Sequence, residues 1–169
     1  MQIKQQVTIN ASADKVWEIV GSQYGQVSDW ISAVHFSEES KSAGAPHHAP
    51  VSGRVCETDL GPFKETVTRY DAENRSLAYT AQGDKMPFFV KQMSNAWQIT
   101  PLDNHSAKVE MCLEVSILPV FNLVMGPIMR LQMGGILKNA VEELKYYAET
   151  GMPHPRKLEA QRNYELKAA

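Results

Sequence analysis

The stretch that decides the fold is AKVEMCLEVSILPVFNLVMGPIMRLQMGGILKNAVEELKYYAETG, residues 107–151. Its hydrophobic period changes once. Val109, Met111, Leu113, Val115 and Ile117 alternate with Lys108, Glu110, Cys112, Glu114 and Ser116, which is the period of a strand with one buried and one wetted face. After Pro119, residues Leu123, Ile128, Leu131, Ile136, Leu137, Ala140, Val141, Leu144 and Tyr147 recur at helical spacing to about Thr150. Gly151 and then Pro153 stop that helix. Gly134-Gly135 inside it costs about 1 kcal/mol per glycine relative to alanine, which predicts a kink or a close contact. Gly126-Pro127 predicts a delayed helix start.

Upstream, four segments read as antiparallel strands: Gly53 to Asp59, Phe63 to Asp71, Ser76 to Gln82 and Val90 to Thr100. Leu60-Gly-Pro62, Ala72-Glu-Asn74 and Gly83-Asp84 supply the turns between them. Ala33 to Glu39 is extended, and Lys41 to Pro50, rich in Ser, Ala, Gly, His and Pro, is a loop. At the start, Ile3, Val7 and Ile9 share one strand face, and Asn10-Ala-Ser12 caps a short helix from Ala13 to Val20. A second short helix is predicted from Tyr24 to Ile31, with Val27, Trp30 and Ile31 close to one side.

The 169 residues carry 43% hydrophobic and 21% charged side chains, enough for one substantial core and too few residues for two ordinary domains. Seventeen basic against nineteen acidic residues give a net charge of -2 with no dense basic stripe, which argues against nucleic acid as a partner. The two cysteines, Cys56 and Cys112, form no CxxC pair, so reduced thiols in a cytoplasmic protein are expected. No stretch is read as approaching the roughly 18 apolar residues of a membrane span, so membrane insertion is not expected.

The order strand, two short helices, antiparallel strands and long C-terminal helix resembles the helix-grip fold of the SRPBCC superfamily, which includes polyketide cyclases/dehydrases and START-like lipid-transport proteins. The local pattern agrees: Val7-Thr-Ile-Asn-Ala-Ser-Ala-Asp-Lys-Val-Trp17, Gly53-Arg54, Glu65-Thr-Val-Thr-Arg-Tyr-Asp71, Leu77-Ala-Tyr79 and Trp97-Gln-Ile99 keep the family's order. The expected class is therefore α+β: a curved antiparallel sheet of about seven strands wrapped around a long C-terminal helix. The domain spans residues 1–150, with 151–169 as a C-terminal tail, either a solvated charged segment or an arm against a partner chain.

The resemblance implies an internal cavity toward which Glu65, Tyr79, Met93, Asn95 and Trp97 face. Alternation independently puts Met93, Asn95, Trp97 and Ile99 on one face. Met111, Met129, Met133 and Leu137 complete the candidate ligand-binding set, the thioethers of Met125, Met129 and Met133 suiting a pocket that adapts to apolar ligands. Glu65, read as sharing its face with Val67 and Arg69, is the one candidate catalytic residue, an acid or base if buried. The alternative is a structural ion pair with Arg69 or Arg54. Carboxylate binders of this superfamily often carry a cavity lysine where this chain reads Ser32-Ala-Val-His-Phe36, so an acid ligand is not implied.

His47-His48 lacks ligand-forming neighbours, and no metal or other cofactor is expected. Three functions follow, from different classes. The first is binding or transport of a small hydrophobic, lipid-like ligand. The second is a cyclase/dehydratase-like enzyme using Glu65, with His35 and Tyr79. The third is a partner-modulating protein of co-chaperone type, which a filled interior and an exposed apolar patch would favour. A homodimer is a partner to test.

Overall fold

In the computed structural model, which describes residues 1–40, 46 and 48–168, strand β1 (Gln2–Ile9) leads into helix α1 (Ala13–Trp17). Ser12 caps α1, its hydroxyl accepting from the Lys15 amide at 3.3 Å. A π-helical turn (Glu18–Ser22) and a 3-10 turn (Tyr24–Asp29) follow. Then come β2 (Phe36–Ser40), β3 (Gly53–Thr58), β4 (Gly61–Asp71), β5 (Ser76–Gly83), β6 (Val90–Pro101) and β7 (Ala107–Ile117). Helices α2 (Pro119–Thr150) and α3 (Pro155–Ala168) end the chain.

The strands form one seven-stranded antiparallel sheet in the order β1-β7-β6-β5-β4-β3-β2. β2 to β7 are therefore a meander of sequential neighbours, and β1 pairs with β7 across about a hundred residues, from Gln2 opposite Glu114 to Ile9 opposite Ala107. The predicted α+β helix-grip architecture is what the chain adopts. The alternating residues Val109, Met111, Leu113 and Val115 of β7 are all buried, and Leu137, Ala140, Val141, Leu144 and Ala148 of α2 join the same core.

Four details differ from the sequence reading. β2 starts at Phe36 rather than Ala33, because the Val34 amide closes a turn on the Ile31 carbonyl and the His35 amide bonds the Glu57 carbonyl as a single contact. Helix α2 is not delayed: it begins at Pro119 and runs through Gly126-Pro127, leaving one carbonyl a turn back without its helical donor. Gly134-Gly135 neither breaks the helix nor marks a close contact, since a Cβ at either position would meet nothing within 4 Å. Finally, α2 is long and apolar enough in composition to cross a membrane, contrary to the expectation that no stretch comes near it.

The second half of α2 is held at several points. Glu143, fully buried, accepts from the Ser32 amide at 2.9 Å, the Ser32 hydroxyl at 2.7 Å and Arg156 at 3.2 Å. The tail is not loose. It forms α3, where Lys157 donates to the Val34 carbonyl at 2.7 Å and Tyr164 stacks on His35 at 4.3 Å between ring centroids. Burial lowers the Lys157 pKa against the pull of Asp29 and Glu143.

Candidate functional site

The centre of the site is a buried charge pair built across two strands. Arg54 of β3 stands opposite Glu65 of β4, and its Nε donates to Glu65 Oε2 at 2.7 Å. The two strands come unusually close here, because a Cβ on Gly53 would lie 2.1 Å from the Glu65 carbonyl oxygen. Only glycine leaves room for that approach. The Tyr24 hydroxyl donates to the same Glu65 oxygen at 2.8 Å, and Arg54 also donates to the Tyr24 carbonyl. The guanidinium carbon sits 3.9 Å from the centre of the Tyr24 ring and 5.5 Å from that of Tyr79, a cation held over aromatic faces.

Such a pair is tolerable in the interior because each charge is neutralised and hydrogen-bonded. Burial by itself would lower the Arg54 pKa, but the Glu65 carboxylate together with Tyr24, Tyr79 and Cys56 outweighs it and leaves it raised. Burial likewise pushes the Tyr24 and Tyr79 phenols well above their ordinary range, Glu65 adding to the effect and Arg54 opposing it. Both tyrosines are thus neutral hydrogen-bonding groups. The Cys56 thiol, also buried, is pushed up to about 12 and is no nucleophile at neutral pH.

Next to the pair, Asn95 of β6 donates to the Tyr79 hydroxyl at 3.0 Å. Its own Oδ1 is buried and, among the described residues, accepts no hydrogen bond. An unpaired amide oxygen in the interior costs about 1–3 kcal/mol. A small cavity of about 10 Å³ lies beside this cluster, bounded by Tyr24, Val27, Trp30, Arg54, Leu77 and Trp97, room for about one water. The predicted cavity is therefore nearly filled. Trp30 and Trp97 meet edge to face at 6.3 Å and take up the space with Leu77 and the two tyrosines.

Of the candidate residues, Tyr79, Asn95 and Trp97 meet at this cluster with Glu65, and Met111 and Leu137 are buried in the surrounding core. Met93, Met129 and Met133 are half-buried against the same core. Glu65 pairs with Arg54 and not with Arg69. A β-bulge between Val67 and Arg69 inserts one residue, so Val67 stays buried while Arg69 turns to solvent opposite Ala78. His35 does not join the cluster: its Nε2 lies 3.2 Å from Asp59 and its ring is covered by Tyr164. His47 lies outside the described residues, and among these no group of three or more His, Cys, Asp or Glu is arranged to hold a metal ion.

Sequence reasoning missed Tyr24. The signal was present, because Tyr24 and Val27 lie three residues apart in the 3-10 turn and Trp30, three further on, caps its end, all three buried. An α-helical reading disperses them.

Sheet, grip helix and interior polar cluster together define an SRPBCC-type helix-grip protein. Residues 1–149 match the family described as polyketide cyclase / dehydrase and lipid transport, and the chain belongs to that family. Solved structures agree on the fold. An uncharacterised protein from Bacillus thuringiensis superposes with a TM-score of 0.71 at 15% identity, over 88% of this chain and 98% of its own. A START superfamily protein from Mycobacterium smegmatis gives 0.68 at 19% identity, over 89% and 99%. Norcoclaurine synthase from Thalictrum flavum gives 0.66 at 14% identity, over 88% and 93%. No curated protein matched the chain in sequence.

Proposed function

We propose that the chain binds a small, mostly apolar molecule between sheet and α2, with one polar group of that molecule directed at the Tyr24–Arg54–Glu65–Tyr79–Asn95 cluster. The observation that carries this reading is the Asn95 Oδ1 acceptor, buried and, among the described residues, unpaired, on the residue that donates to Tyr79. A protein acting only through its surface has no use for that cost. A ligand hydroxyl or amine would remove it. The lining of Trp30, Trp97 and Leu77 supplies the apolar contact such sites use. Entry requires the interior to widen, and the half-buried Met93, Met129 and Met133 are the side chains that adapt most easily. The family's cyclase and lipid-transport description supports the same reading. The two free cysteines support a reducing, cytoplasmic setting.

Acid/base catalysis by Glu65 is the weaker reading. Both of its hydrogen-bond donors, Arg54 and Tyr24, occupy the same oxygen, and His35 is engaged elsewhere. A partner-modulating role has one observation in its favour, the nearly filled interior together with exposed apolar side chains on α2.

The test is native mass spectrometry of the purified chain and its extract, followed by titration with the apolar fluorophore 1-anilinonaphthalene-8-sulfonate. The expected result is a bound compound or a saturable probe site. Asn95→Leu, near in volume and without the acceptor, should weaken retention of a polar-headed compound by about tenfold, the worth of one hydrogen bond to a buried group. A folded chain that carries nothing and leaves the probe unchanged overturns the reading in favour of surface action.

A further inference from the structure

The first half of α2 carries apolar stripes on two opposite sides, yet only one of them is packed. Phe121, Met125, Met129 and Met133 recur every four residues and are half-buried toward the grip. On the opposite side Val120, Leu123, Val124, Ile128 and Leu131 follow at i, i+3, i+4, i+8 and i+11, a continuous helical stripe, and they are 83%, 84%, 67%, 50% and 80% exposed. Beside the start of the helix, Phe88 is 74% exposed and packs edge-on against Phe121 at 5.2 Å. A helix with apolar stripes on two opposite sides suits apolar surroundings on both.

The charges around the stripe choose the occupant. Between Leu118 and Val141 the only ionisable side chains are Arg130 and Lys138, both cationic, and Lys85 and Lys91 flank the Phe88 turn with a single acid, Asp84. The rest of the chain is net negative. A second copy of this face would set cations against cations with no carboxylate from the helix to meet them, whereas an anionic lipid surface answers both the apolar stripe and the positive rim. The helix cannot cross that bilayer. It is tied at its start by the Leu118 amide to the Phe89 carbonyl at 2.9 Å and at its second half by the buried Leu137, Ala140, Val141 and Leu144. The free portion, residues 119–136, is about 27 Å long at 1.5 Å per residue, and both its ends lie on the same side.

We propose that the outer stripe of α2, with Phe88, docks the protein in-plane on an anionic lipid bilayer, with the half-buried Met125, Met129 and Met133 on the helix face turned to the grip. The inference extends the interior-binding reading by naming the surface from which a lipid-like ligand would come, but its test contains no ligand and stands or falls separately.

The experiment is flotation of the full chain with vesicles of phosphatidylcholine alone and of phosphatidylcholine with phosphatidylglycerol. Binding to the anionic vesicles that weakens with added salt is expected. Leu123→Glu/Leu131→Glu should reduce it by about a hundredfold, roughly tenfold for each lost leucine contact, with an unchanged far-ultraviolet dichroism spectrum and thermal midpoint. Arg130→Glu should weaken anionic binding while leaving the fold intact. Wild-type chain that stays unbound to both vesicles overturns the proposal. So does a sedimentation-measured dimer that the Leu123→Glu/Leu131→Glu change dissociates while vesicle binding is absent, because the stripe then faces a second copy.

Discussion

Helix α2 is one continuous element with two unlike halves. From Leu137 onward it is part of the core: Leu144 and Ala148 are fully buried, and Glu143 ties it to Ser32 and to α3. Before Leu137 only Gly126 is buried, and the outer stripe faces solvent. The hydrophobic residues are no fewer in the exposed half. What differs is the buried carboxylate of Glu143, which anchors the second half to Ser32 and Arg156. Apolar content makes a helix able to be buried, but here fixed charges and hydrogen bonds decide which part is.

The largest expected effect tests the clamped half. Leu144→Ala should lower stability by about 2–5 kcal/mol, as for other fully buried leucines, whereas Leu131→Ala should stay within about 0.5 kcal/mol. Urea denaturation of the two variants measures the contrast, and equal losses would break it.

An effect of opposite sign sharpens the comparison. Gly134→Ala/Gly135→Ala should raise stability by about 1–2 kcal/mol, since alanine favours the helix and no neighbour stands in the way of either methyl. A loss in the same denaturation experiment would mean that the two glycines are needed for a close approach or a bend.

The smallest effect lies at the end of the clamped half. Glu149 accepts from the Asn10 amide at 2.7 Å and from Lys145 at 2.9 Å. Burial raises its pKa, but these donors outweigh burial and leave it lowered. A depressed carboxylate contributes stability above its ordinary titration range, and that contribution disappears as pH falls through the native value. Glu149→Gln should therefore flatten the acid limb of a stability–pH curve by less than about 1 kcal/mol. An unchanged acid limb would show that Glu149 adds nothing to the clamp.

The strands were legible because period-two patterning and Gly/Pro/Asn turns mark them independently. Alternation also brought Asn95 and Trp97 to one face, and the tyrosine at position 79 follows from its pairing opposite Asn95. The Arg69 side chain was not legible, because a bulge that shifts one residue leaves no trace in composition. The contact between His35 and Tyr164 joins a strand edge to the chain's last helix and depends on how α3 lies, which periodicity does not encode. The division within α2 was hidden for a related reason: residues 120–136 carry two apolar stripes, and the helical reading took Leu123, Ile128, Leu131 and Ile136, which are exposed, while Phe121, Met125, Met129 and Met133 are the ones half-buried.

The sheet order carries a consequence for how the molecule is assembled in time. β2 to β7 join neighbours in sequence, but β1 has no partner until β7 exists, and α2 rests on both. During synthesis the first strand, its backbone unpaired and its buried side chains Ile3 and Ile9 without a core, must wait for residues 107–117 to emerge. Such a long closure slows the final step relative to the hairpins. Until it happens the growing chain offers an unpaired edge, and this interval is when it is most exposed to misassociation.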